Sequence, residues 1–191
     1  FCGATVDMMG RHGLSCRKSA GRLSRHSAVN DLIKRALSSA EVPSRLEPSS
    51  LTRDDGKRPD GLSLAPWSNG RCLVWDFTCV DTLAPSHLDA AVTGPGTVAS
   101  EAEEKKRLKY AGLSATYCFV PVAVETLGAM GSDATDFMRD LGRRIASVTG
   151  EHRSTEFLLQ RLSVAIQRGN AACVLGTVEC TSDKLDDLFY L

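Results

Sequence analysis

No run of apolar residues in this sequence approaches the roughly 20 that a membrane-spanning helix needs. No charged-then-apolar leader marks a secretory signal either, so the expectation is a soluble intracellular protein with no membrane partner. Internal repeats and low-complexity tracts are lacking. So is any Gly-rich phosphate loop, and none of the many serines sits at a strand-to-helix elbow, which leaves a Ser-His-Asp nucleophile without a place. Net charge is also missing, since 23 Lys and Arg balance 23 Asp and Glu. At first sight that balance speaks against a nucleic-acid partner. The seven cysteines are an odd count. Cys72, Cys79, Cys118 and Cys173 lie in apolar segments that read as core, which favours reduced thiols over a disulfide framework.

What is present is 191 residues at 42% hydrophobic, enough for one globular domain with a core plus an appendage. The chain begins at Phe1, which suggests a piece of something longer. Its charge is uneven. Seven Lys or Arg face the single acid Asp31 between Arg11 and Arg35, while the end of the chain from Glu179 is acidic. A local basic face can contact phosphates even in a neutral chain; an ordinary solvated helix is the other reading.

The informative stretch runs from Lys57 to Tyr110. Lys57-Arg58-Pro59-Asp60-Gly61 leads into a strand over 61–65. A Pro66-Trp67-Ser68-Asn69-Gly70 turn carries the Asn-Gly hairpin signal, and a second strand follows over 71–80. Side chains alternate along that strand, so Asp76 and Thr78 share a face with Val74 and Val80. An ionised aspartate between Trp75 and Phe77 is expensive to bury without a partner, and a metal ion is one such partner. A helix over 98–114 then brings Lys106 and Lys109, three residues apart and on one face. Two acids on neighbouring strands with lysines on the next helix are the parts that hold a divalent metal and cut a phosphodiester. The cation cancels charge and activates water, while a lysine offsets charge in the transition state. Taken singly, Arg-Pro-Asp-Gly is a common turn, a strand Asp can be structural, and a charged helix is usually a solvated face.

In order, Arg58-Pro59-Asp60, Asp76-x-Thr78 and Lys106-x-x-Lys109-Tyr110 resemble the restriction-like endonuclease domain of site-specific non-LTR retrotransposons. That domain is a branch of the PD-(D/E)xK nucleases. The wider superfamily places lysine where this chain has Thr78, and the retrotransposon branch carries it on the helix instead. The resemblance implies Asp60 and Asp76 as ligands of Mg²⁺ or Mn²⁺, Lys106 or Lys109 as the catalytic lysine, and Tyr110 as support. Glu47 is the candidate for the additional upstream acid that several superfamily members use. Arg25 and His26, similar to an Arg-His pair in the same family, are candidate DNA contacts together with Arg58. The implied activity is nicking of target DNA in the nucleus, so that the reverse transcriptase domain of the same polyprotein can prime on the break. Two alternatives stay open: another PD-(D/E)xK enzyme, such as a resolvase or repair exonuclease, or a non-catalytic nucleic-acid-binding module of the same fold.

At the N-terminus, Cys2, His12 and Cys16 are residue types and spacings that suit three ligands of a tetrahedral zinc site. The family carries a Cys-Cys-His-Cys knuckle before its nuclease, and this segment resembles one that lacks its first cysteine. Otherwise these residues are a free thiol pair and a surface histidine.

The remaining elements follow from periodicity. A helix is expected over 21–40, ended by Pro43, and a short extended piece over 45–48. A loop is expected over 81–100, where His87 reads as exposed. A buried strand over 116–126 contains Pro121, which suggests an edge or bulge, and Glu125 at its end reads as structural. Amphipathic helices over 134–148 and 155–168 complete the pattern, the second stopped by Gly169. Arg161, Gln167 and Arg168 on the last helix read as a solvated face more than as phosphate contacts. The expected domains are a partial zinc knuckle (1–18), a nuclease-like domain (19–180) and an acidic tail (181–191). The expected fold is α/β, a central mixed sheet of four to five strands flanked by helices, as in a restriction-endonuclease-like core.

Overall fold

A computed structural model describes residues 2–6, 11–16, 18–52 and 56–177. The expected acidic tail lies outside the described residues, as do parts of the 1–18 segment. Four strands form one sheet in the order β1 (Ser44–Leu46), β2 (Gly61–Ser68), β3 (Arg71–Val80) and β4 (Cys118–Glu125). The first two pairings are antiparallel and β3 pairs with β4 in parallel, so the sheet is mixed. A parallel pair needs a crossover, and α4 (Thr97–Lys109) supplies it between β3 and β4. Around the sheet stand α1 (Arg11–Ser15), α2 (Ala20–Ser39), the single turn α3 (Leu88–Ala91), α5 (Ser132–Thr149) and α6 (Ser154–Leu175). Among these described helices none is long and apolar enough to cross a membrane.

The alternation of β3 assigns the two sides of the sheet. Leu73, Trp75 and Phe77 join Val122 and Val124 of β4 in a core closed by Ile33 and Leu37 of α2, Met138 and Leu141 of α5, and Leu162 and Ile166 of α6. Val74 and Asp76 face the other way, toward α4. The buried Glu103 locks α4 to this arrangement. Its carboxylate accepts backbone N–H bonds from Asp133 and Ala134 at the start of α5 (3.0 and 2.9 Å) and from Ala123 of β4 (3.4 Å). Pro121 sits on an edge strand, where a missing N–H is tolerated.

Four boundaries differ from expectation, the first being the helix expected over 98–114, since α4 ends at Lys109 and a separate helical turn follows at Ala111–Leu113. The strand β2 runs on through Pro66, Trp67 and Ser68, leaving only Asn69-Gly70 for the turn, both at positive φ (49° and 72°). The reason is packing. Trp67 is buried against Phe137, with ring centroids 5.7 Å apart, and a register shift around Pro66 absorbs the proline. The segment expected as loop over 81–100 contains a helical turn at Pro85–His87, and α3. Gly169 does not stop α6, which continues to Leu175. A Cβ at Gly169 would lie 2.5 Å from Arg25 side-chain carbons, so the glycine lets α2 and α6 approach instead of ending a helix.

Candidate active site

Asp60 lies beside the C-terminal half of β3, which β2 does not pair with, and Lys106 of α4 reaches Asp76 on that strand. Asp60 immediately precedes β2. Its N–H donates to the Trp75 carbonyl (3.0 Å), and its Oδ2 accepts the Phe77 N–H (2.6 Å). Asp60 is thus bonded to the residues on both sides of Asp76, which fixes the two acids relative to each other. Gly61 must follow, since a Cβ there would overlap the Trp75 ring at 2.0 Å.

Asp76 is 3% exposed and forms an ion pair with the Lys106 ammonium. The partner that the burial of this carboxylate demands is therefore already supplied by α4. Lys109, three residues on, turns away; its Nζ donates to the Tyr110 hydroxyl (2.8 Å) and lies 4.4 Å from the centre of that ring. Tyr110 is buried against Phe119, with centroids 5.0 Å apart. Of the two lysines, it is Lys106 that pairs with Asp76.

His26 approaches from α2, on the other side of the sheet edge. Its Nε2 lies 3.1 Å from Asp60 Oδ2, and its ring packs on Phe77 at 5.7 Å. The bond to Asp60 holds the imidazole pKa above its usual value against the opposing effect of burial; Asp76 adds to the rise and Lys106 opposes it. One turn further along α2, Asn30 completes the support. Its Oδ1 accepts the Trp75 Nε1–H (2.9 Å), which leaves its amide NH₂ to face His26 Nδ1 at 3.3 Å. A donor facing Nδ1 selects the tautomer with the proton on Nε2, directed at Asp60. Asn30 was not singled out by sequence; its i,i+4 spacing from His26 is the signal that carries it.

The other candidates stand apart from these groups. Glu47 forms an exposed ion pair with Arg58. Its carboxylate does not complete a convergent group of donors with Asp60 and Asp76; only its backbone N–H meets Asp60, at the carbonyl (2.8 Å). Arg25 is buried, and its guanidinium donates to Asn170 Oδ1 at 2.5 Å. His87 is half-buried and bonded to the Asp81 carbonyl.

Carboxylate oxygens are hard donors. Asp60 Oδ2 and Asp76 Oδ1 are engaged as described, whereas the second oxygen of each carboxylate accepts no hydrogen bond among the described residues. Two carboxylate oxygens plus water and substrate oxygens are a usual environment for Mg²⁺.

A different donor set lies at the N-terminus. Cys2, His12 and Cys16 present ligand atoms that all fall within 4.8 Å of one another, the one such group of three among the described residues, and this group could hold a metal ion. Cys2 Sγ is 2.9 Å from His12 Nε2. The Ala4 N–H, then His12 and Cys16, lower the Cys2 pKa to about 7, which favours the thiolate a metal binds. No family model matches the chain, and no curated protein matches it.

Proposed function

We propose that this chain is a metal-dependent DNA endonuclease domain of the restriction-like type, working within a retrotransposon polyprotein beside a reverse transcriptase in the nucleus. The observation that carries the reading is that Asp60 is bonded to the β3 backbone on both sides of Asp76, while Asp76 is paired with Lys106 of α4. A bound Mg²⁺ would neutralise phosphate charge and lower the pKa of an attacking water. Asp60 and Asp76 would hold it. Lys106 places a cation where charge develops on the phosphate oxygens. His26, oriented by Asn30, keeps Asp60 in position. Cys2, His12 and Cys16 supply three ligands for zinc.

The test is nicking of a supercoiled plasmid in Mg²⁺ or Mn²⁺. Asp76→Ala and Lys106→Ala should each lower the rate at least 100-fold, with DNA binding in EDTA retained. Wild-type chain that binds DNA yet nicks nothing in either metal would overturn the nuclease reading. It would favour the second one, a nucleic-acid-binding module, which the closed Asp76–Lys106 pair also fits.

A further inference from the structure

The helices α2 and α6 pack along one another, and a surface groove of about 620 Å³ follows their seam. Four arginines line it: Arg25 and Arg35 from α2, Arg161 and Arg168 from α6. Among the described residues no carboxylate does. Between the arginines the floor is aliphatic, with Leu32 buried and Val164 55% exposed. Arg25 is held in place by Asn170, and Arg35 by Asp31 at 3.1 Å. Positions 25, 28, 32 and 35 form one stripe of α2, about 15 Å long at 1.5 Å per residue.

The groove does not stand alone. Arg25 also lines a second depression, shared with Arg22, His26, Phe77 and Thr78, which opens beside the candidate active site. Arginine is the side chain best matched to phosphate, through its planar fork of donors. A positive channel with an aliphatic floor suits a sugar–phosphate backbone, with charge on its edge and apolar sugar against the floor.

We propose that the α2–α6 seam is a DNA-binding surface. It seats the backbone of the strand that runs past Arg25 and His26 into the candidate site, over about four nucleotides at 3.4 Å each. This extends the nuclease reading, but its test is binding rather than cleavage.

The experiment measures anisotropy of a fluorescein-labelled 30-base-pair DNA in EDTA, between 50 and 300 mM KCl. The variants are Arg35→Gln/Arg161→Gln, Arg161→Gln alone, and the control pair Arg139→Gln/Arg143→Gln on the exposed face of α5, with circular dichroism to verify folding. The double variant should bind about ten-fold more weakly at 100 mM salt. Its slope of log affinity against log salt should be shallower by about 2, since each phosphate contact contributes about 0.9. Arg161→Gln keeps the Arg35–Asp31 pair and should show about half that change, so the question remains answerable if the double variant misfolds. Affinity and slope equal to wild type in Arg161→Gln and the double variant, or equal losses in the control pair, would overturn the proposal. So would displacement of a polyglutamate probe, but not of DNA, by the groove substitutions; that result would indicate an acidic protein partner. Arginine-dependent binding without nicking keeps this inference and removes the nuclease. Nicking with arginine-independent binding does the reverse.

Discussion

Lys106 and Asp76 are coupled by burial as much as by charge. With only 5% of its side chain exposed, Asp76 cannot fall back on solvent when its partner is removed. Lys106→Ala should therefore cost about 2–3 kcal/mol in urea unfolding, near the lower end of the range for breaking a buried pair, because the lysine itself is partly exposed. Neutralising the acid as well, in Asp76→Asn/Lys106→Ala, should recover at least half of that loss. A double variant no more stable than Lys106→Ala would show that the pair contributes nothing beyond its separate side chains. Cys79 provides a second residue-level expectation. Burial raises its pKa to about 11, despite the opposing influence of Arg25. Alkylation requires the thiolate. Iodoacetamide at pH 8 should thus leave Cys79 largely unmodified, and its rate should climb only as pH approaches 11. Mass spectrometry of labelled peptides reads both points, and fast labelling at pH 8 would contradict the assigned burial.

At the scale of elements, α4 is held by two acids with different jobs: Asp76 receives its Lys106, and its own Glu103 receives the backbone of α5 and β4. Glu103 satisfies N–H groups at the start of α5 that have no partner within that helix. Glu103→Ala should leave those donors buried and unpaired, costing about 3 kcal/mol by chemical denaturation, with α5 losing amide protection first. Gly169→Ala should cost about 1–3 kcal/mol by overpacking the α2–α6 contact, against a small gain expected for alanine in an isolated helix. The helices α2, α5 and α6 and the strand β3 were legible in the sequence because their apolar residues recur at helical or strand spacing, whereas α1 and α3 were not expected. The end of α6 was not, since a glycine near a helix terminus signals a stop and a close approach equally well. The continuation of β2 through Pro66 was hidden for a similar reason, because local turn chemistry yields there to the burial of Trp67. Within the candidate site, Asp60, Asp76 and the alternatives Lys106 and Lys109 were named from the sequence. Glu47's engagement with Arg58 and the choice of Lys106 over Lys109 depend on where side chains turn in space, which spacing alone does not specify.

For the whole molecule, the N-terminal segment is attached to the domain through its last helix. An added Cβ at Gly13 of α1 would meet the Cys173 carbonyl at 2.8 Å, and just beyond the segment, in the first turn of α2, one at Gly21 would meet the Cys173 amide nitrogen at 2.6 Å. The cavity holding Cys2, His12 and Cys16 is completed by Gly176 and Thr177, beyond the end of α6. A metal bound there would tie Cys2 to α1 and to Cys16 just after it, and α1 packs on α6, which belongs to the main core. Binding only to the folded arrangement stabilises it by RT ln(1 + [L]/Kd), about 2.7 kcal/mol at 100 times Kd. Zinc should therefore raise the melting temperature of the whole domain and protect Cys2 and Cys16, but not Cys72, from alkylation. Cys2→Ser should abolish both effects. If zinc protects the two thiols without moving the melting transition, the N-terminal site is occupied but energetically detached from the sheet and its helices. If it does neither, the convergence of those three donors is not a zinc site in this chain.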